Sequence, residues 1–335
     1  MNLLRKILFP VVPVYYLITW LRNRLYDLGI KKSTSFSIPI ICVGNLSVGG
    51  TGKTPMIEYL VRLLKDDAKI ATLSRGYKRK TEGFQLAKST STSEDLGDEP
   101  FQFYNKFAAN VTVAVDNNRV NGITKLLQLN NAPEIVLLDD AFQHRKVKVG
   151  LNIMLTTYSN PFFNDMVLPT GDLREPKSGY KRADIIVVTK CPSNITNIKK
   201  EEFLKRIKPT EYQHVFFSTI AYANKVVSKT AELELNSLTN FTLVTGIANA
   251  TPLVTFLKSK NLKFQHLNFK DHYEFSPDDI SKLESCEVIL TTEKDFMRLK
   301  QYKALEKRLF YLPITVNILE NVPFDNLVKR FVKQF

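Results

Sequence analysis

Residues 38–65, with the sequence IPIICVGNLSVGGTGKTPMIEYLVRLLK, carry the clearest structural pattern in this chain. The β-branched run Ile38–Val43 predicts a strand buried on both faces, because apolar and polar residues do not alternate along it. From Lys53 to Lys65, apolar residues recur at i, i+3, i+4 and i+7, which predicts an amphipathic helix. The glycine-rich loop between them completes a strand–loop–helix unit, which is the local structure of a phosphate-binding P-loop.

The loop has the residue types that bind a polyphosphate. Its glycines allow successive backbone N–H groups to point at phosphate oxygens, and the following helix N-terminus adds a favourable dipole. Lys53 supplies a positive charge for the β- and γ-phosphates, and the hydroxyl of Thr54 can bind Mg²⁺. The motif G-x-x-x-x-G-K-[S/T] is met except at its first position, where Ser47 replaces glycine. The predicted nucleotide-binding residues are Ser47, Val48, Gly49, Gly50, Thr51, Gly52, Lys53 and Thr54.

A second element supports nucleotide binding. Residues 134–140, EIVLLDD, read as an apolar strand that ends in two aspartates. In a parallel sheet such a strand end lies beside the P-loop, where Asp139 and Asp140 can hold Mg²⁺ directly or through water. Aspartates at strand ends also serve as helix caps, but their combination with a P-loop favours a metal site. We therefore predict that Thr54, Asp139 and Asp140 bind Mg²⁺.

The base of the nucleotide is indicated by an incomplete motif. P-loop GTPases read guanine with N/T-K-x-D, whereas residues 189–192 at the end of a predicted strand read TKCP, with proline in place of the aspartate. A second candidate, TEKD at 292–295, lies in the C-terminal part of the chain and has no predicted position against the base. We therefore predict ATP as the nucleotide.

Strand-like segments alternate with helix-length segments along the chain. The strand candidates before residue 192 are Ile38–Val43, Ile70–Leu73, Val111–Val115, Ile135–Leu138, Leu151–Leu155 and Ile185–Val188. This alternation predicts an α/β fold with a parallel sheet, like that of P-loop NTPases. Four further strand candidates, each followed by a helical pattern, occur after residue 240 and predict a second, smaller α/β domain. We expect an N-terminal segment (1–28), a P-loop domain (29–192), a connecting region (193–240) and the smaller domain (241–335).

The N-terminal residues Ile7–Leu21, ILFPVVPVYYLITWL, are almost wholly apolar. The run is shorter than the roughly 20 residues that a spanning helix needs, and it contains Pro10 and Pro13. Basic residues flank it on both sides and aromatic residues lie near its end, as is typical of a segment in the interface of an anionic bilayer. We predict a monotopic, membrane-associating helix. A buried core helix is the alternative, and the sequence leaves open whether the segment spans the bilayer.

Composition limits the class of protein. The 335 residues are 44% hydrophobic and 24% charged, which is ordinary for a globular protein. Cys42, Cys191 and Cys286 are far apart and odd in number, which excludes a disulfide framework and favours a reducing compartment. Because the sequence has no CxxC motif or Cys/His cluster, it argues strongly against a structural zinc site. Lys and Arg number 47 against 33 Asp and Glu, a net charge of +14. This excess favours a polyanionic partner, which could be nucleic acid, an anionic membrane or a phosphorylated substrate.

Further polar clusters occur in a distinctive order. They are SRGY at 74–77, GDEP at 97–100, DDAFQHR at 139–145, PTGDLREP at 169–176 and KDHY at 270–273. Together with GGTGKTP at 49–55, they closely resemble the tetraacyldisaccharide 4′-kinase family of lipid A biosynthesis, from the N-terminal segment to about Asp295. The DDxFQHR and LREP blocks in that order are highly specific, although Ala141 replaces the glycine that is common in the family.

The resemblance implies ATP-dependent phosphorylation of the 4′-hydroxyl of a tetraacylated glucosamine disaccharide 1-phosphate. It places this reaction at the cytoplasmic face of a Gram-negative inner membrane. Lys53 and Mg²⁺ would stabilise charge on the transferred phosphoryl group. The remaining residues that the resemblance assigns are Asp98 as the catalytic base, His272 as its partner, Glu99 as a companion acid at the metal, and Arg119, Arg174 and Glu175 at the substrate.

Two other functions compete with a lipid kinase. A membrane-attached P-loop nucleotide switch or chaperone that acts through a protein partner would explain the P-loop and the N-terminal segment, but not the LREP block. A nucleic-acid-binding protein rests on net charge alone, because the sequence has no helix-turn-helix, zinc-finger or RRM signature. We therefore expect a lipid A precursor and an anionic inner-membrane surface as partners, and neither a nucleic acid nor an obligate protein partner.

Overall fold

Two β-sheets organise the chain in the computed structural model, which describes residues 5, 7–271 and 273–335. The strands in this part of the chain are β1 (Ile40–Asn45), β2 (Ile70–Ser74), β3 (Gln85–Leu86), β4 (Val111–Val115), β5 (Ile135–Asp139), β6 (Leu151–Thr157), β7 (Ile185–Thr189), β8 (His214–Tyr222), β9 (Lys225–Val227), β10 (Glu232–Glu234), β11 (Phe241–Thr245), β12 (Phe264–Asn268), β13 (Ile289–Thr292), β14 (Leu309–Leu312) and β15 (Ile314–Ile318). The α-helices are α1 (Val12–Asp27), α2 (Lys53–Leu64), α3 (Ser93–Leu96), α4 (Asp98–Phe107), α5 (Arg119–Leu127), α6 (Asn197–Ile207), α7 (Thr251–Ser259), α8 (Pro277–Glu284), α9 (Glu293–Leu299) and α10 (Asn321–Val332).

The larger sheet has the strand order β15-β8-β7-β6-β1-β5-β2-β4-β3. From β8 to β4 all neighbouring strands are parallel, and β15 and β3 add antiparallel edges. The strands predicted before residue 192 all form, with ends that agree to within two residues. Since the carboxyl ends of parallel strands meet at one edge of a sheet, the loops after β1, β2, β4 and β5 lie together there.

The strands of this sheet are buried on both faces, as their continuous apolar sequence predicts. In β1, for example, Ile40 and Cys42 belong to one hydrophobic cluster, whereas Ile41 and Val43 belong to another on the opposite face. The second cluster is covered by the apolar side of α2, and α10 adds Phe324 to it. The P-loop therefore begins on a strand that is fixed from both sides.

The smaller sheet has the order β10-β9-β14-β13-β11-β12, with a parallel centre formed by β11 to β14. The four strands predicted after residue 240 are present in it. After β14 the chain returns to the larger sheet, where β15 pairs with β8. Helix α10 packs on the hydrophobic cluster that contains Ile41 and Val43. The sequence analysis did not identify β15. Residues 193–240 also contribute to both sheets, through β8 to one and through β9 and β10 to the other.

Helix α1 contains no buried residue, so it is not the core helix of the alternative interpretation. One side of it nevertheless contacts the rest of the protein, because the partly buried Val12 and Tyr15 pack on the hydrophobic cluster that contains Ile40 and Cys42. Its exposed apolar side chains are Val14, Tyr16, Leu17, Ile18, Trp20 and Leu21. None of the helices formed by the described residues is long and apolar enough to cross a bilayer.

Candidate active site

The P-loop adopts a backbone that depends on its glycines. Gly49 and Gly52 have φ angles of 107° and 92°, in the left-handed region that residues with a Cβ rarely enter. Gly52 directly precedes α2, and Lys53 is the first residue of that helix. The unpaired N–H groups at the start of α2 therefore follow immediately on the loop, which is the arrangement that binds phosphate.

Two neighbouring segments hold this loop by hydrogen bonds to its backbone. Val48 N donates to the Asp172 carbonyl at 2.7 Å, and Arg174 N donates to the Leu46 carbonyl at 2.7 Å. On the other side, the Thr189 hydroxyl donates to the Thr51 carbonyl at 2.8 Å, and Lys190 Nζ donates to the Gly50 carbonyl at 2.6 Å. The TKCP segment, considered from sequence only as a base-reading motif, thus braces the P-loop.

Lys53 lies opposite the acidic end of β5. Its Nζ is 3.6 Å from Asp140 Oδ1, and the same oxygen accepts a hydrogen bond from Arg174 Nη1 at 2.8 Å. Burial by itself raises the pKa of Asp140, but Lys53 and Arg174 outweigh it and hold the pKa below its ordinary value. Asp140 is therefore ionised at neutral pH, and the predicted substrate residue Arg174 lies on the same carboxylate as the P-loop lysine.

Asp139 has a contrasting environment. It is only 6% exposed, and burial, reinforced by the charge of Asp140, raises its pKa to about 7. Its Oδ2 accepts a long hydrogen bond from Ser74 at 3.4 Å, whereas its Oδ1 is buried without a hydrogen-bond partner. A buried carboxylate oxygen that lacks a partner is suited to a cation, since a bound cation would offset its desolvation.

Arg119 and Glu175, both assigned to the substrate by resemblance, are buried. Arg119 donates to the carbonyls of Asp116 and Asp139 at 2.6 and 3.2 Å, and burial lowers its pKa to about 10. Glu175 accepts hydrogen bonds from Gln143 and Arg182, at 2.9 and 2.8 Å, and from Asn23 of α1. In this arrangement Arg119 ties two strand ends together, and Glu175 ties α1 to the FQHR and LREP segments. Their contact with substrate stays a prediction.

Asp98 and Glu99 begin α4, directly after Gly97, whose φ angle is 89°. Glu99 is close enough to the β5 aspartates that its charge contributes to the raised pKa of Asp139. It also lies 3.6 Å from Lys294 Nζ. The start of α4 is thus at the same edge of the sheet as the P-loop. His272, the predicted partner of Asp98, lies outside the described residues.

Asp98 makes a contact that sequence reasoning missed. Arg298 of α9 donates to Asp98 Oδ2 through Nε at 2.8 Å and through Nη2 at 2.5 Å. One local signal was present in the sequence. Asp295, the last residue of the TEKD set, lies three positions before Arg298, so the two share a face of α9. Nothing in that spacing indicates a partner on α4.

The comparisons with known proteins identify the family of this chain. The model of the tetraacyldisaccharide-1-P 4′-kinase family matches residues 4–333. This chain belongs to that family. It is 50% identical to the tetraacyldisaccharide 4′-kinase of Flavobacterium johnsoniae, over 100% of this chain and 99% of the relative. The enzyme of that name from Bacteroides thetaiotaomicron is 44% identical over 95% of this chain and 90% of its own length.

A solved structure extends the likeness to three dimensions. The crystal structure of LpxK from Aquifex aeolicus in complex with ATP is 31% identical to this chain and has a TM-score of 0.79, and the match covers 98% of this chain and 100% of the other. The predicted family, the α/β fold and the ATP-dependent kinase activity of lipid A biosynthesis are therefore confirmed. These comparisons favour the kinase over the membrane-attached nucleotide switch, which was the alternative function considered from the sequence.

Proposed function

We propose that this chain transfers the γ-phosphate of ATP to the 4′-hydroxyl of a tetraacylated glucosamine disaccharide 1-phosphate at the cytoplasmic face of the inner membrane. One observation carries the proposal. A P-loop lysine, the ionised Asp140 at the end of β5 and the two acids at the start of α4 converge on one edge of the larger sheet. Donor phosphates and a proton acceptor can therefore act on the same hydroxyl.

The donor phosphates would lie at the start of α2. The backbone N–H groups of residues 49–54 and the charge of Lys53 are suited to the β- and γ-oxygens, on which negative charge is concentrated. Arg174 adds a second positive group beside Asp140. Lys53 and Arg174 are both held by Asp140, so little reorganisation is needed as charge develops during transfer.

The residues present fit a magnesium ion. The unpartnered Asp139 Oδ1 would supply a carboxylate ligand, and Thr54, Asp140 and Glu99 are the further oxygen donors that we propose. Among the described residues, no three acids, histidines or cysteines are grouped closely enough to hold a metal without other ligands. Mg²⁺ at kinase sites is bound by one or two carboxylates together with the phosphates, rather than by a cage of protein ligands. When bound, the ion would neutralise charge on the phosphate oxygens.

Asp98 is the proposed proton acceptor. A sugar hydroxyl is a weak nucleophile until a base accepts its proton, and a side chain in that role contributes about 10²–10⁴-fold in rate. Asp98 is 17% exposed in its side chain, so it lies at the edge of the site rather than in bulk solvent. Asp98 lies on α4, which packs on the larger sheet, and its contact Arg298 lies on α9, which packs on the smaller sheet. The lipid acceptor would therefore enter between the unit of the larger sheet and the unit of the smaller sheet.

The lipid acceptor accounts for the surface of α1. The apolar side chains of this helix are exposed while its other side is tied to the catalytic loops: Tyr15 donates to the Arg174 carbonyl at 2.9 Å, and Asn23 contacts Glu175. A helix that inserts its exposed side into the bilayer interface would bring Arg174 close to lipid headgroups. We therefore propose peripheral or monotopic binding to an anionic membrane, which also suits the net charge of +14.

Transfer of radiolabelled γ-phosphate to a tetraacyl-disaccharide 1-phosphate in mixed micelles, followed by thin-layer chromatography, tests the reaction. We expect labelled lipid with the wild-type protein and Mg²⁺. Lys53→Met should lower kcat about 10²-fold or more, because transition-state charge loses a fixed cation. Asp98→Asn should lower kcat about 10²–10⁴-fold with a similar KM for ATP.

Lys65→Met is the matched control for Lys53→Met, because it removes a lysine at the opposite end of α2, where Lys65 lies 3.7 Å from Asp66. It should leave the rate within about twofold. An absence of labelled lipid with folded wild-type protein would refute the reaction. An Asp98→Asn protein with near wild-type kcat would refute the base assignment alone.

A further inference from the structure

A guanidinium from the smaller sheet's unit holds the carboxylate at the start of α4. Nε and Nη2 of Arg298 both donate to Oδ2 of Asp98, and the two side chains are only 10% and 17% exposed. Aspartate has a short side chain whose carboxylate can still rotate. Two donors with fixed relative geometry restrict that rotation in a way that a single point charge does not.

Arg298 is itself held on its other side. Its Nη1 donates to Asp295 Oδ1 at 3.2 Å. Asp295 is fully buried, and its Oδ2 accepts from the Gly246 amide at 2.8 Å and from the Thr292 hydroxyl at 2.7 Å. The guanidinium therefore connects Asp98 to the carboxyl ends of β11 and β13, which form the rigid centre of the smaller sheet.

Three other polar contacts join α4 to α9 and the residue after it. At the start of α4, Glu99 Oε1 lies 3.6 Å from Lys294 Nζ. Lys106 of α4 donates to Glu293 at 2.7 Å, and Lys300 donates to the side chain of Asn105. The contacts of Lys106 and Asn105 lie further along α4, away from its catalytic start. The helix pair is therefore held at several points, and Arg298 is the residue of α9 that contacts the Asp98 carboxylate directly.

We propose that Arg298 is a positioning residue for phosphoryl transfer, which orients the Asp98 carboxylate toward the acceptor hydroxyl from the opposite unit. The proposal rests on the assignment of Asp98 as the base. A base is effective only within hydrogen-bonding reach of the proton it accepts, and a displacement of about 1 Å can cost about 10²-fold in rate. Arg298 acts on kcat through Asp98 and does not contact the nucleotide in this role.

The test compares kcat and KM of purified full-length variants in the lipid phosphorylation assay. Arg298→Gln should lower kcat about 10–10²-fold and change the KM for ATP by no more than about twofold. Arg298→Lys keeps the charge but not the two-nitrogen contact, so it should recover part of the rate. Lys300→Met is the matched control in the same helix contact, and it should leave kcat within about twofold.

A double-mutant cycle separates positioning from a general loss of structure. If Arg298 acts through Asp98, adding Arg298→Gln to Asp98→Asn should cause little further loss of kcat, because residues that act as a unit are strongly non-additive. Losses that multiply would overturn the proposal, as would wild-type kcat in Arg298→Gln or an equal loss in Lys300→Met. If Arg298→Gln does not fold, Arg298→Lys in the same cycle gives the answer.

These outcomes separate the inference from the proposed function. An active Asp98→Asn protein removes the base assignment, whatever Arg298 does. An inactive Asp98→Asn protein together with a fully active Arg298→Gln protein leaves the base in place and removes only the positioning role.

Discussion

Replacing Asp139 by asparagine should stabilise the protein in the absence of metal, by an amount that increases with pH. The pKa of this buried carboxyl is raised from 3.8 to about 7, so ionisation opposes folding once the pH exceeds the pKa of the unfolded chain. At 1.36 kcal/mol per unit of pKa, the cost reaches about 4 kcal/mol above pH 7. Between pH 5 and pH 8 the advantage of Asp139→Asn should therefore grow by about 2.5 kcal/mol.

Urea unfolding in the presence of a chelator, followed by circular dichroism at pH 5 and pH 8, measures this difference. Asp140→Asn is the matched control from the adjacent position. The pKa of Asp140 is held below its ordinary value, so its contribution to stability is already complete above pH 5 and is lost only at lower pH. Asp140→Asn should therefore destabilise the protein, in contrast to Asp139→Asn, and less at pH 8 than at pH 5, because it also removes a charge that raises the pKa of Asp139. An equal effect of Asp139→Asn at pH 5 and pH 8 would refute the reasoning.

The remaining predictions concern the P-loop and α1. Lys190→Ala removes the donor to the Gly50 carbonyl and should raise the KM for ATP about tenfold, measured by ATP titration; an unchanged KM would exclude the brace. Gly52→Ala places a Cβ at a φ of 92° and should destabilise the protein by about 1–2 kcal/mol, visible as a lower Tm. Leu17→Asp with Ile18→Asp, at side chains that are 59% and 61% exposed, should reduce co-sedimentation with anionic vesicles at unchanged Tm; undiminished binding would contradict the proposed membrane contact.

Patterns within short stretches of the chain were sufficient for much of the architecture. The β-branched runs became strands, and the apolar spacing after Lys53 became α2, because both depend on backbone conformation and on burial of one side or both. The P-loop was readable for the same reason, since the left-handed conformation of Gly49 and Gly52 is a local requirement. The site elements at strand ends followed from the parallel arrangement of the sheet.

Contacts between distant residues were not readable in this way. Arg298 is 200 positions from Asp98, and Asn23 is 152 positions from Glu175. The pairing of β15 with β8 likewise joins the end of the chain to the larger sheet. The strands of the smaller sheet, β9 to β14, lie between β8 and β15 in the sequence. Such pairs depend on how whole elements pack, and no spacing within either element records the partner.

The chemical properties of the acids also depended on tertiary structure. Asp139 and Asp140 are adjacent and identical in sequence, yet burial raises the pKa of Asp139 while Lys53 and Arg174 lower that of Asp140. The sequence by itself determined that two aspartates lie together at the end of β5, with Asp139 as its last residue and Asp140 directly after it. Only packing determined which of them is desolvated and which faces cations, because the energy of a charge depends on all the groups around it in space.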